Sequence, residues 1–383
     1  MKKCNHQLVN WLEGMNVGDE HFRQLENYFI ERLCDTAALH ITKHNYGLLP
    51  PVDGENTSSE FDISEQVSGK VEIKLRRCNA ITAGGCRIAY NPPPEVCLLH
   101  THSFDAGAGA PPVQNAIWDV VLTVNPFARI PTGTPADDEL PPRPPHATED
   151  YQLSVVPRGE IHSDRLGLHH LVIGRIRPYG GRYEVDTQYI PPCTRMSSHP
   201  DLLAYYERFG TYLNTLERSS KLILSKNRSH HSTIAAHVGT LSEDLMHYIA
   251  TIYFPYRNMG QEEAPIRIVN YFSTLAHVCY VSLNKQSRTE TEELLSYFHE
   301  WSDVTPGSFE ELLANTLGII YDHNALRGTM LQIETFLHIL SDLWLKLSGL
   351  EYIGKHKDNI VVSERYHQQE QPKANGTNWS ILD

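Results

Sequence analysis

The chain has 383 residues, with 33 Lys and Arg against 46 Asp and Glu, a net charge of −13, 40% hydrophobic and 21% charged residues. Those proportions suit a folded chain with a sizeable core and exclude wholesale disorder, a collagen repeat and a membrane-embedded protein. No Lys/Arg-rich run is present, so the charge pattern gives no nucleic-acid footprint.

No apolar segment follows Met1-Lys2-Lys3-Cys4, and no window approaches about 18 apolar residues, so neither a signal peptide nor a membrane span is read. The cysteines, at 4, 34, 78, 86, 97, 193 and 279, are odd in number and never form a C-x-x-C pair. That spacing argues against a zinc ribbon or a disulfide framework and fits a reducing cytoplasm.

The chain opens with a predicted helix. Asp19 can cap it, and Phe22, Leu25, Phe29 and Leu33 form one apolar stripe at spacings of three and four. Beyond Pro50-Pro51 the texture turns to strands. Val71–Arg76 alternates apolar and charged residues, and further strands are read at Arg87–Tyr90, Val96–His100, Ile117–Val124 and Gln152–Val156. A hairpin is expected from His170 to Tyr189 with its turn at Gly180-Gly181. Six prolines between Pro131 and Thr148 predict an extended loop there. The sum is a β-sandwich or barrel with one helix attached, over residues 1–192.

After Ile190-Pro191-Pro192-Cys193 the period becomes helical. Leu202, Tyr206, Phe209, Leu213 and Leu216 follow a four-three rhythm, rejoined by Ile223, as in a bundle or coiled coil. That stripe can pack inside its own subunit or against further copies around a symmetry axis. A second helix carries Ile234, Val238, Leu241, Leu245, Ile249 and Ile252, and a third runs from Pro265 to about Leu283. Thr289-x-x-Glu292 and Ser308-x-x-Glu311 read as capping boxes for two more. A last helix spans about Thr329–Leu347, with Gly349 as its stop. The helical part thus covers 193–350. Residues 351–383 are expected to hold a short strand at Asn359–Ser363 and a polar tail.

Chemical motifs are few. In a strand, His100 and His102 share a face and could hold a metal, with Asp105 and Asp119 as nearby carboxylates, the pattern a metal-dependent hydrolase would need. With 21 His in the chain, one such pair also arises by chance. Gly107–Ala110 lacks the Lys-Ser/Thr of a phosphate loop, and Pro111-Pro112 blocks a helix start there. The pairs His169-His170 and His230-His231 lack helical metal spacing. No Gly-x-Ser-x-Gly elbow occurs. No catalytic residue, cofactor or metal is assigned.

Two blocks carry a resemblance. Val9-Asn10-Trp11-Leu12-Glu13-Gly14-Met15, followed by Asp19–Gln24 and Asn27-Tyr28-Phe29, is similar to the opening of the TssK family, the baseplate adaptors of type VI secretion systems. His21-Phe22 and Gln24 match that family's pattern, whereas Asp19-Glu20 replaces its Pro-Gln. Tyr189-Ile190-Pro191-Pro192-Cys193-Thr194-Arg195 resembles the block that closes the family's β-rich shell and opens its helical stalk. The resemblance implies an α+β fold, a β-sandwich-like shell followed by a trimeric helical stalk, and a structural, non-enzymatic role. It implies docking to the wedge proteins TssF and TssG, for which Trp11, Glu13, Gly14, Met15, His21 and Phe22 are the candidate contacts. Leu202, Tyr206, Phe209, Leu213 and Leu216 are the candidate trimer seam. The family's C-terminal head meets the membrane complex. Only 33 residues follow Leu350 here, too few for such a head, as in the short form of Bacteroidetes systems. The implied location is cytoplasmic, at the inner face of the inner membrane, without insertion into it. A phage-type receptor-binding tail protein would have the same plan.

Overall fold

The computed structural model describes residues 5–66, 70–93, 96–104, 117–135, 140–158, 168–180, 182–228 and 232–357. Among them the fold is α+β, with seven α-helices and two antiparallel sheets. Helix α1 (Asp19–Ala38) precedes nine strands, and six helices follow. The expected strand at Asn359–Ser363, the Gly107–Ala110 segment, Asp105 and the His230-His231 pair lie outside the described residues.

One sheet is built around β3 (Val71–Ile81), whose Val71, Ile73 and Leu75 are buried at every second position. On one side lie β1 (Gly47–Leu48) and β2 (Ser59–Glu65). On the other lie β4 (Arg87–Tyr90) and β5 (Leu98–His102). The second sheet has the order β7–β6–β8–β9, from β6 (Trp118–Thr132), β7 (His146–Pro157), β8 (His170–Tyr179) and β9 (Arg182–Val185). The sheets share one apolar core. They approach closely where the Phe61 ring of β2 lies over Gly174 of β8, since a Cβ on Gly174 would sit 2.3 Å from that ring.

The expected loop at 131–148 is instead partly strand. Pro131 pairs with Ala147 and Thr132 with His146. The prolines are tolerated because β8 flanks β6 only from Trp118 to Thr123, so Pro131 lies where β6 is an edge and no neighbour needs its N–H.

The helices are α2 (Pro200–Asn227), α3 (Thr233–Met259), α4 (Pro265–Leu283), α5 (Arg288–Trp301), α6 (Pro306–Leu317) and α7 (Leu326–Gly349). Their caps differ from the expected ones. Ser287 caps α5 and exchanges hydrogen bonds with Glu290, so Thr289 already lies in the first turn. Thr305 caps α6 because Pro306 occupies its first position, and a residue before proline is steered out of the helical region. Gly349 is the last helical residue of α7 rather than its stop.

Helix α2 packs against α3 and α7. Leu202, Phe209, Leu213 and Leu216 are at most 1% exposed and Tyr206 is 8% exposed within the single chain. The stripe offered to a symmetry axis is therefore enclosed by its own helices and has no surface left for a second copy. Tyr206 and Tyr256 stack, and each hydroxyl donates to the other's carbonyl oxygen, which ties α2 to α3.

Sheets and helices meet at one seam. Gly47, at φ +115°, brings β1 so close to the Ile190–Cys193 block that a Cβ there would lie 2.0 Å from the Pro192 oxygen. Leu48 N–H donates to Pro192 O at 2.7 Å, and Thr194 returns both its N–H and its hydroxyl to Leu48 O. Ile190 and Cys193 are fully buried. From the helical side His323 Nε2 donates to Tyr46 O at 2.8 Å, while its Nδ1 accepts from the Tyr321 hydroxyl. Arg327 pairs with Asp201 and donates to Gln188 O.

Two tests follow from the seam. Gly47→Ala is predicted to lower unfolding free energy by about 3 kcal/mol or more, through strain and overlap together. Gly180→Ala has positive φ but open space and should cost only about 1–2 kcal/mol in the same denaturation assay. Burial pushes His323 down to about 4, against the favourable bond to Tyr46 O. A folded-state value below the unfolded one means the neutral ring is favoured by folding. Its contribution is present above pH 6.5 and declines as pH falls toward 4, by roughly 3 kcal/mol in all. Urea titrations of His323→Gln should show a shallower acid slope than the unaltered chain; equal slopes would remove His323 as the cause.

Candidate partner-binding surface

The N-terminal arm and α1 form one unit on the outside of the sandwich. The arm is turned by Leu12–Met15, where Met15 N–H donates to Leu12 O and Gly14 sits at φ +78°. A residue at the third position of such a turn needs positive φ, so the Gly of the Trp11–Met15 block is a backbone requirement. Gly18 caps α1 in place of the expected Asp19, its N–H donating to His21 Nδ1 at 3.1 Å. Asp19 and Glu20 instead fill the first turn, where the helix dipole favours negative charge.

The arm runs back along the helix. Asn5 and His6 N–H groups donate to the Glu31 carboxylate at 2.9 and 2.8 Å, and Gln24 donates to Gln7 O. Burial raises the Glu31 pKa, but the two backbone donors outweigh it and hold the carboxyl below its usual value. Trp11 lies against both His21 and Phe22, at ring separations of 6.2 Å.

Helix α1 buries none of its residues. Its half-buried positions mix polar and small residues, Asn27, Cys34 and Ala37, with Leu25, Tyr28 and Ile30. Asn27 and Glu26 meet Arg129 of β6 at 2.9 and 3.0 Å, and Cys34 lies against Gly85 of the β3–β4 turn. Of the apolar stripe Leu25 is half-buried, and the other three residues point outward. Phe22 is 57% exposed, Phe29 54% and Leu33 70%, continued on the arm by Trp11 at 46% and Leu12 at 67%. Glu13 and Gly14 are exposed at the turn, while Met15 and His21 are half-buried. The wedge candidates are thus neighbours on one surface. Periodicity alone could not say which way that stripe points.

His100 and His102 do share a face, with rings 6.0 Å apart. His102 stands in an aromatic cluster with Phe104 and Trp118, where Phe104 also stacks on Tyr183 across the sheets. Burial lowers the His100 pKa. The Asp119 carboxylate is held by Arg175 at 2.6 Å, beside a cleft of about 560 Å³ between the sandwich and the helices. Among the described residues no three His, Cys, Asp or Glu side chains are grouped for a metal, and no helix is long and apolar enough to cross a membrane.

No family model matches the sequence, and no curated protein matches it. Among solved structures, a crystal structure of TssK aligns at TM-score 0.50 and 15% identity, covering 86% of this chain and 68% of that one. The chain shares that fold. A TssK from the type VI secretion system of EAEC, in complex with nanobody nb18, aligns at TM-score 0.48 and 14% identity over 85% of this chain and 100% of the other. The type VI TssK–TssF–TssG baseplate subcomplex, solved by cryo-electron microscopy, aligns at TM-score 0.48 and 14% identity over 88% and 99%.

The docking of α1 rests largely on Arg129. Arg129→Ala should speed amide exchange across α1 roughly fivefold, for a local loss on the order of 1 kcal/mol, with the global melt unchanged. Unaltered α1 exchange would show that other contacts hold the helix.

Proposed function

We propose that this chain is a structural, non-catalytic baseplate adaptor of a type VI secretion system, docking the wedge proteins TssF and TssG through the outer face of the arm and α1. The observation that carries this reading is the outward apolar surface of Phe22, Phe29 and Leu33 on a helix that buries none of its residues, continued by Trp11 on the arm. Aromatic anchors of this kind suit a large permanent interface better than a solvated surface. The stripe also coincides with the block that resembles TssK, and the fold likeness agrees with it.

In this reading residues 1–192 are the shell and 193–350 the stalk of a homotrimer at the cytoplasmic face of the inner membrane, with the secretion system's membrane proteins as further partners. The Leu202–Leu216 stripe being enclosed, the copies would meet through outward side chains of α3 and α4 such as Phe254, Met259, Tyr280 and Val281. The absence of an apolar spanning helix among the described residues is compatible with docking through other proteins.

Native mass spectrometry after co-expression with TssF and TssG tests the proposal. The expected species holds three copies of the 43.5 kDa chain with both wedge proteins. Trp11→Ala with Phe22→Ala should keep the melting temperature and weaken wedge binding by roughly 30-fold or more, as loss of a central aromatic anchor does. A monomer that ignores both wedge proteins would overturn it.

A further inference from the structure

Helix α1 is tied to the sandwich by the polar contacts of Arg129, and its inner face carries a second kind of link. Gly85, at φ +83°, approaches α1 so closely that a Cβ would lie 2.2 Å from the Cys34 oxygen and 3.2 Å from the Ala37 Cβ. The next residue is Cys86, whose side chain hydrogen-bonds that of Cys34. Its position is fixed by a tight turn. Cys86 N–H donates to the Thr82 hydroxyl at 3.1 Å, Thr82 N–H donates to Cys86 O, and Gly85 N–H donates to Thr82 O. Two thiols from elements more than fifty residues apart are thus in contact, and neither is in a disulfide.

They are unequal. Cys86 is 4% exposed and Cys34 is half-buried, so a small oxidant reaches Cys34 first. Cys78, Cys193 and Cys279 are sealed in the core, where burial raises their pKa values, two of them to about 12. They do not compete, since no oxidant in solution reaches them; the bond to Cys34 and burial raise Cys86 as well, so the half-buried Cys34 is the thiol that reacts first.

We propose that Cys34 and Cys86 are an oxidation site for hydroperoxides, whose product is an intrachain disulfide fastening α1 to the β3–β4 turn. The Cys34 thiolate attacks a peroxide oxygen, giving a sulfenic acid and releasing water when the oxidant is hydrogen peroxide. The Cys86 sulfur then attacks the sulfenyl sulfur. The S–S bond forms, the sulfenic oxygen leaves as a second water, and the two thiols have lost two electrons and two protons to the peroxide. A thiol reductant reverses the step. The bridge converts a helix with no buried side chain into one covalently pinned near its C-terminal end, with its outer aromatic face unchanged. The proposal stands independently of what binds that face.

The test is titration of the full-length chain with hydrogen peroxide under quenched alkylation, read by peptide mapping and by amide exchange. The expected result is a Cys34–Cys86 cross-linked peptide, absent in Cys34→Ser and in Cys86→Ser, and reversed by dithiothreitol. Exchange in the C-terminal half of α1 should slow by roughly tenfold or more on bridging, because the cross-link restricts opening. Sulfinic acid on Cys34 without a cross-link would overturn the site, as would a bridge to Cys97 instead. A correct bridge with unchanged α1 exchange would overturn the fastening. The mapping is made on the unaltered chain, so it is decisive even if Cys86→Ser fails to fold.

Discussion

The close approach of Gly47 to Pro192 is the constraint on which the arrangement of sheets and helices depends. Without a side chain at 47, β1 can lie against the Ile190–Cys193 block and exchange hydrogen bonds with it at Leu48. That places Tyr46 over His323 and Gln188 beside Arg327, so three separate stretches of chain meet in one buried seam. The prolines of the block help because neither Pro191 nor Pro192 has an N–H left to satisfy, while their carbonyls remain available as acceptors. A neutral, buried His323 completes the seam and makes it sensitive to acid.

The sandwich on one side of the seam presents a helix with no fully buried residue. In α1 Phe22, Phe29 and Leu33 stay exposed, whereas an ordinary surface helix turns its apolar stripe to the core. Arg129 and the close approach of Gly85 tie it to the sandwich, while Glu31 holds the N-terminal arm along it. The apolar face thereby stays available, and an exposed stripe of this size is a cost that folding alone does not explain. On the other side of the seam the opposite holds. The Leu202–Leu216 stripe has the cleaner coiled-coil rhythm and is enclosed within the subunit. The two stripes have the same period and opposite fates.

Much of this was legible in residue order. The alternation in Val71–Leu75 marked a half-buried strand, and the change from period two to period 3.6 after Cys193 marked where strands give way to helices. Local chemistry was readable to within a few residues: the caps of α5 and α6 fell at Ser287 and Thr305 instead of Thr289 and Ser308, because several Ser and Thr lie close together and only the backbone path selects among them. Pro131 misled as a loop signal because its tolerance depends on whether a neighbouring strand needs its N–H, which is a property of the sheet.

The sequence by itself determined the classes of element, their order, the break at the Ile190–Cys193 block, and the grouping of Trp11, Gly14 and Phe22 in a block that resembles a secretion-baseplate adaptor. Those are local properties, set by propensity, periodicity and the φ demands of single residues. Which apolar stripe is covered, which thiols touch and which histidine is buried were decided only in three dimensions. The physical reason is that burial is assigned by competition between surfaces far apart in the chain. Helix α2 found α3 and α7, whereas α1 found no neighbour that covers Phe22, Phe29 and Leu33.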